Sequence, residues 1–338
     1  MRSPLLDLPG AVPADAPDEG VAAHYGNPHV EQRDLEAARG YVDLSHRGVL
    51  RIGGKDRLSL LHSLTTQHLS ELAPNQATET LLLDPNGRIE YALYLVDDGT
   101  YVWAHTEPGA AEPFAAFLTK MRFMLEVEPE DVTDRYAIIY EPARPEAPDS
   151  APASDSASDV LVRELPTGAR ELFLPRERLA EYGRTHEHPA GTWAAEALRI
   201  AGHRPRAGLE TDQRTIPHEL GWLDTAVHLN KGCYRGQETV ARVENLGHPP
   251  RRLVMLHLDG TEERLPGHGD PVLFDGREVG FVTSAARHYE LGPIALAVVK
   301  RNVPVDAVLQ ADGVPASQEI VVPPDAGGTA RDRLRRPV

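Results

Sequence analysis

A single cysteine occurs in the 338 residues, and it lies in the stretch Lys231-Gly232-Cys233-Tyr234-Arg235-Gly236-Gln237-Glu238. Two glycines within five residues free the backbone around the thiol for close ligand approach. Lys231 and Arg235 flank Cys233 two residues to either side, and a helix is expected from Gln237 to Asn245. Flanking cations and a nearby helix start both favour thiolate over thiol. The same stretch also suits an inert structural cysteine in a tight loop, because sequence alone assigns Cys233 no histidine partner. One cysteine excludes an intramolecular disulfide and any Cys-rich zinc or iron–sulfur site built from this chain alone.

Other side chains that can do chemistry are sparser. His186-Glu187-His188 has metal-ligating types, but it lies at a polar helix end before Pro189, where a solvated surface is expected. His62 and His68 are six apart and do not share a helix face. Trp193 and Trp222 can stack on a flat ligand, with core packing the plainer expectation. No G-x-G-x-x-G or P-loop pattern is present, so nucleotide cofactors gain no support.

The candidate loop needs elements to hold it. The chain is 41% hydrophobic and 25% charged, the balance of a globular protein of two or three domains. Its 35 Lys plus Arg against 51 Asp plus Glu leave a formal charge of −16, which disfavours nucleic-acid partners. The first 20 residues have no apolar core with basic flanks, so no signal peptide is expected. Apolar runs such as Ile294 to Val299 are far shorter than the roughly 20 residues that span a bilayer. A cytoplasmic location is expected.

Along the first third the pattern is strand, helix, strand, strand, helix, strand. Arg47 to Ile52 is β-leaning, and a leucine stripe through Leu58, Leu61, Leu64 and Leu69 follows Asp56. Thr78 to Leu83 and Arg88 to Val96 flank the turn Asp84-Pro85-Asn86-Gly87. A strand over Thr100 to His105, an amphipathic helix through Phe114, Phe117, Leu118 and Met121, and a closing strand over Arg135 to Tyr140 complete a split βαβ unit with an added strand. After 141–159, which is nearly all Ala, Ser, Pro and acid, a hairpin at 160–174 and helices near 176–184 and 192–201 are expected. From Arg251 the chain reads as short strands separated by turns, a small barrel or sandwich. The fold class is α+β with a C-terminal β domain. The expected division is a disordered segment 1–25, a ferredoxin-like α+β domain 26–140, a disordered linker 141–159, a second α+β domain 160–248 carrying the cysteine loop, a β-barrel 249–322 and a disordered tail 323–338.

KGCYRGQE resembles the K-G-C-Y-x-G-Q-E signature of the YgfZ-type folate-binding proteins, which are linked to iron–sulfur cluster maintenance. LRIAGHRPRAG (198–208), PHELGWL (217–223) and GGKDRLSLLHSLTTQHL (53–69) are similar to the same family. EVGFVTS (278–284) and IALAVV (294–299) resemble the β domain shared with the T-protein of the glycine-cleavage system. The resemblance spans roughly 40–325 and implies a T-protein-like folate-binding core with tetrahydrofolate or a derivative as ligand. It implies catalytic roles for Cys233 and Lys231, and folate contacts for Tyr234, Gln237, Glu238, Arg199, Gln67 and Glu90, with no metal.

The chain departs from the T-protein pattern at two places. The T-protein's two Asp after the Gly-Gly hairpin correspond to Asn86-Gly87-Arg88-Ile89-Glu90-Tyr91, and a glutamate after the Arg-aliphatic pair appears as Ala201. The resemblance therefore implies a folate-binding protein that supports assembly or repair of iron–sulfur proteins, with those proteins or their assembly factors as partners and with enzymatic activity left open. The alternatives are a tetrahydrofolate-dependent, aminomethyltransferase-like one-carbon transferase and a folate-linked tRNA-modification accessory.

Overall fold

The computed structural model of the chain describes residues 1–143, 160–261 and 263–329. Its first elements are a 3-10 helix at Pro4–Asp7, strands β1 (Val12–Pro13) and β2 (Ala22–His24), helix α1 (Pro28–Glu36), and strands β3 (Tyr41–Asp43) and β4 (Gly48–Gly53). Next come α2 (Arg57–Leu64), β5 (Ala77–Leu83), β6 (Ile89–Asp97), β7 (Val102–Thr106), α3 (Ala111–Met121), β8 (Glu128–Asp131) and β9 (Tyr136–Glu141). They are followed by β10 (Leu161–Glu164), β11 (Arg170–Pro175), α4 (Leu179–Thr185), β12 (Pro189–Ala190), α5 (Thr192–Ala201), α6 (Pro217–Leu220) and α7 (Gln237–Leu246). The last strands are β13 (Arg251–Leu258), β14 (Pro271–Phe274), β15 (Arg277–His288), β16 (Gly292–Lys300), β17 (Val308–Ala311) and β18 (Val314–Ile320).

The chain packs as two units, each gathered from separate stretches. The first holds Met1–Leu61, Leu69–Glu79 and Leu93–Ala195; the second holds His62–His68, Thr80–Ala92 and Glu196–Val338. One five-stranded sheet has the order β5-β6-β7-β4-β8. This is the expected ferredoxin-like arrangement, with β6 as the added strand. Its closing strand is β8, however, paired with β4 from Leu50 opposite Asp131 to Gly53 opposite Glu128. Glu128-Pro129-Glu130-Asp131 has no apolar alternation, and an edge strand tolerates both proline and charge.

The residues expected to close that unit form β9 instead, which pairs with β11 and β3 in a second sheet of order β10-β11-β9-β3-β12. Strands from before and after 144–159 thus share one sheet, so the chain does not divide at the expected 140/160 boundary. The stretch 144–159 itself lies outside the described residues. Glu141, expected to open the linker, ends β9 as a buried residue, where it accepts hydrogen bonds from Tyr182 at 2.6 Å and from Arg170.

Residues 1–25 correct a second expectation, for they are ordered. The Ser3 hydroxyl caps the 3-10 helix by accepting from the Leu5 N–H at 3.1 Å and donates to Asp43. Leu5 is buried with Tyr41, Leu172, Leu179 and Tyr182. Composition pointed to disorder because four prolines and four acids fall within the first 20 residues, but Leu5 seated in a core, the Ser3 bonds and the buried residues of β2 anchor the segment. The proposed tail is likewise placed as far as it is described: the Gly328 N–H reaches the Val243 carbonyl at 3.2 Å, and Thr329 Oγ1 donates to the Glu244 carbonyl at 3.1 Å. Residues 330–338 lie outside the described set.

In the second unit six strands close a barrel in the order β13-β16-β15-β14-β17-β18. Val254, Leu256 and Leu258 of β13 and Ala295, Ala297 and Val299 of β16 belong to one core cluster. The alternate residues Leu253, Met255, Ile294, Leu296 and Val298 belong to another, with Leu81, Leu83, Ile89, Trp222, Tyr234 and Val240. Burial on both faces explains why these strands read as unbroken apolar runs. At the start of β13 Arg251 bonds to Asp212 and Glu219, and Arg252 is buried with a bond to Gln318 at 2.7 Å. Both arginines are internal fasteners.

Two outcomes test this packing. Leu5→Ala should destabilise the protein by about 2 to 4 kcal/mol, read as a lowered Tm; an unchanged Tm would return 1–25 to the disordered class. His218 in α6 is buried, neither ring nitrogen is hydrogen-bonded, and Glu244 is 3.7 Å away, too far for a bond. Burial pushes its imidazole down to about 4. The unfolded chain therefore takes up this proton first as pH falls, and stability present above about 6.5 is lost toward pH 4, by up to about 3 kcal/mol. Urea unfolding of His218→Phe across that range should show a shallower loss than wild type.

Candidate functional site

Two turns meet to place the cysteine loop. In the β5–β6 turn Asp84 Oδ1 accepts from the main-chain N–H of Asn86 at 2.7 Å and Arg88 at 2.8 Å, an Asx turn that leaves Gly87 at φ +80°. Gly236, just before α7, has φ +83°. A Cβ on Gly236 would lie 2.6 Å from the Asp84 carbonyl oxygen and 2.9 Å from Gly87 Cα, and one on Gly87 would lie 2.8 Å from Thr239 Cβ. Gly236 thus lets two main chains touch, rather than opening space for a ligand as the sequence suggested. Cys233 is exposed on the loop held by this contact.

The flanking cations face elsewhere. The buried Lys231 ammonium donates to the carbonyl oxygens of His62, of Thr65 at 2.6 Å and of Gln67 at 2.9 Å, and lies 5.0 Å from the centre of the Tyr234 ring. Arg235 forms an ion pair with Glu90, Nη1 to Oε2 at 2.8 Å and Nη2 to Oε1 at 3.4 Å. The two charges expected to act on the thiol are committed to a main-chain turn and to a carboxylate.

The other implied residues divide into anchors and open groups. Tyr234 is buried in the core cluster, and burial pushes its hydroxyl up to about 12. Gln237 donates to the Lys231 carbonyl at 3.4 Å. Arg199 uses all five N–H groups on Glu196, Glu210, Ser284 and the Arg204 carbonyl, which leaves none for a ligand. The Gln67 amide donates to the Thr225 carbonyl at 3.0 Å and accepts from the His68 N–H at 2.9 Å, with one amide hydrogen left over. Glu238 is exposed in the first turn of α7, and no described residue pairs with its carboxylate.

The structure joins residues that spacing had kept apart. The His62 and His68 rings meet edge to face with centroids 4.8 Å apart, and His228 lies 5.2 Å from His68. Helix α2 ends at Leu64, short of the expected stripe's last residue Leu69, so a helical wheel does not apply to His68; Thr65-Thr66 within that stripe was the available signal. His62 Nε2 lies 3.9 Å from where a Cβ on Gly232 would sit. At the weaker candidates, His186 stacks on Tyr182 at 3.8 Å and His188 pairs with Asp34 at 3.1 Å. Among the described residues no group of three His, Cys, Asp or Glu is arranged to hold a metal ion. Trp222 is core, and Trp193 is exposed beside His24.

Residues 251–323, the closed barrel, match the family model of the glycine cleavage T-protein C-terminal barrel domain. The crystal structure of the glycine cleavage system aminomethyltransferase T from Bartonella henselae superposes with a TM-score of 0.79, covering 96% of this chain and 98% of that one at 18% identity. The fold is T-protein-like. A putative chloroplastic transferase of Arabidopsis thaliana is 26% identical over 82% of this chain and 70% of its own length. An aminomethyltransferase of Nostoc is 28% identical over 85% of each. No helix among the described residues is long and apolar enough to cross a membrane.

The glycine contact and the thiol should respond oppositely to the same small change. Gly236→Ala forces a Cβ into a left-handed residue and against the Asp84 carbonyl, so unfolding should show a loss of at least about 2 kcal/mol. Cys233→Ala removes an exposed group and should stay within about 0.5 kcal/mol of wild type. A large loss for Cys233→Ala would make the cysteine structural.

Proposed function

We propose that this protein binds a tetrahydrofolate-type ligand and supports the assembly or repair of iron–sulfur proteins in the cytoplasm, with Cys233 as its working group. One observation carries the reading: within 231–238 the side chains of Lys231, Tyr234, Arg235 and Gln237 and the bare backbone of Gly236 secure the loop, while the thiol and the Glu238 carboxylate stay open. A lone thiol cannot hold a cluster, so its contact with one is transient or shared with a partner protein. Toward a folate, Glu238 and the remaining Gln67 amide hydrogen suit the donor and acceptor edge of a reduced pterin. Arg199 has no donor left, and Glu90 would have to release Arg235.

A second reading, one-carbon transfer, is favoured by the names of the relatives, which are transferases and aminomethyltransferases. Against it stand the two positions where a T-protein-like site would supply acids: Glu90 is tied to Arg235, and Ala201 offers no polar side chain. Loss of one placed acid or base costs about 10² to 10⁴ in rate. Calorimetry should show 5-formyltetrahydrofolate binding to wild type and Cys233→Ala alike. Cells lacking the protein should lose iron–sulfur enzyme activity that wild type restores and Cys233→Ala does not. Robust ammonia release from an aminomethyl-loaded carrier protein, insensitive to Cys233→Ala, would overturn this choice in favour of transfer.

A further inference from the structure

We infer that Lys231 is a positioning residue, not a partner of the thiol: its ammonium fixes the main chain of residues 62–67 against the cysteine loop and so sets where a ligand at that loop can sit. An ammonium has three N–H donors, and three carbonyl oxygens converge on this one. His62 belongs to the last turn of α2, whose carbonyls find no partner within the helix, and Thr65 and Gln67 follow directly. A cation there also sits at the negative end of the helix dipole. Among the described residues no carboxylate pairs with this ammonium, so the carbonyl dipoles and the Tyr234 ring are its counter-charge.

The turn it grips is a hub. The Thr66 N–H donates to the Leu81 carbonyl at 3.0 Å, and Thr66 Oγ1 donates to the Ala226 carbonyl at 2.6 Å. The Gln67 N–H reaches Thr80 Oγ1 at 3.0 Å, and the His228 N–H reaches the Thr66 carbonyl at 3.0 Å. Strand β5 and the 225–228 stretch therefore hold this turn from two sides and Lys231 from a third, with the imidazoles of His62, His68 and His228 in ring contact along it. Arginine's planar fork cannot meet three converging oxygens in the way a tetrahedral ammonium does.

Hydrogen–deuterium exchange of the full chain tests the positioning role without any ligand. In K231M the amides of 65–68 and 225–230 should exchange at least about tenfold faster than in wild type, with α3 unchanged. Alkylation of Cys233 should change less than about twofold. For 5-formyltetrahydrofolate, affinity should fall by about tenfold or more in K231M and not be recovered in K231R. Burial pushes the Lys231 ammonium down to about 8, so wild-type affinity should fall between pH 7 and 9.5 while K231M stays weak and flat.

The affinity arm depends on the folate reading, and the exchange arm does not. A wild type that ignores folate overturns that reading and leaves exchange to decide on Lys231. Unchanged exchange in K231M, or slowed alkylation with exchange intact, overturns the positioning role. If K231M does not fold, selective loosening of 65–68 in wild type above pH 8, corrected for intrinsic exchange, decides in its place.

Discussion

A buried ammonium ringed by main-chain oxygens is the interaction on which the cysteine loop depends. Removing a charge from water costs several kcal/mol, and without a carboxylate partner only well-placed dipoles offset it. Three carbonyls and one aromatic face supply those dipoles at Lys231. Five residues on, Gly236 meets Gly87 backbone to backbone, a closeness that a Cβ on Gly236 would forbid, while one on Gly87 would strike the Thr239 side chain. Cys233 lies between these two fixed points, and its loop needs no bond to the thiol itself to be held in place.

The same economy governs the other charges of the second unit. Arg199 is enclosed by Glu196, Glu210 and Ser284; Arg235 is tied to Glu90; Arg251 is tied to Asp212 and Glu219. Each is partly or wholly withdrawn from water and satisfied by several bonds, the condition under which a buried arginine is tolerated. In a chain of formal charge −16, these cations act as internal ties between segments distant in sequence. Motif residues that look like ligand contacts can therefore be the frame around a site.

Much of the fold was legible because its signals are local. The Asp84–Gly87 turn, the α7 start after Gly236, α5 at Thr192–Ala201 and the barrel strands follow from turn chemistry and apolar periodicity. What was not legible depends on tertiary partners. Glu128–Asp131 becomes a strand only because β4 offers it an edge, and Leu5 orders its segment only because Tyr41 and Tyr182 wait for it. At the site, the motif named the residues but not their directions. Nothing in KGCYRGQE says that Lys231 reaches back to Thr65 or that Arg235 crosses to Glu90, since each partner is more than 140 residues away.

The second unit is discontinuous in sequence, and that has a consequence for the order in which the protein is made. The hairpin around Asp84–Gly87 is synthesised early, yet Leu81, Leu83 and Ile89 are covered by Trp222, Tyr234, Leu253 and Met255, and Gly87 by Thr239. At about 5 to 20 residues per second, a ribosome needs roughly 8 to 30 seconds to travel the ~150 residues from Gly87 to Gly236. Throughout that interval an apolar hairpin stands without its cover. The loop that carries the thiol begins that cover through Tyr234, and the barrel strands made after it, with Leu253, Met255, Leu296 and Val298, complete it, so the cysteine loop takes its place while the core of its own unit is still half built.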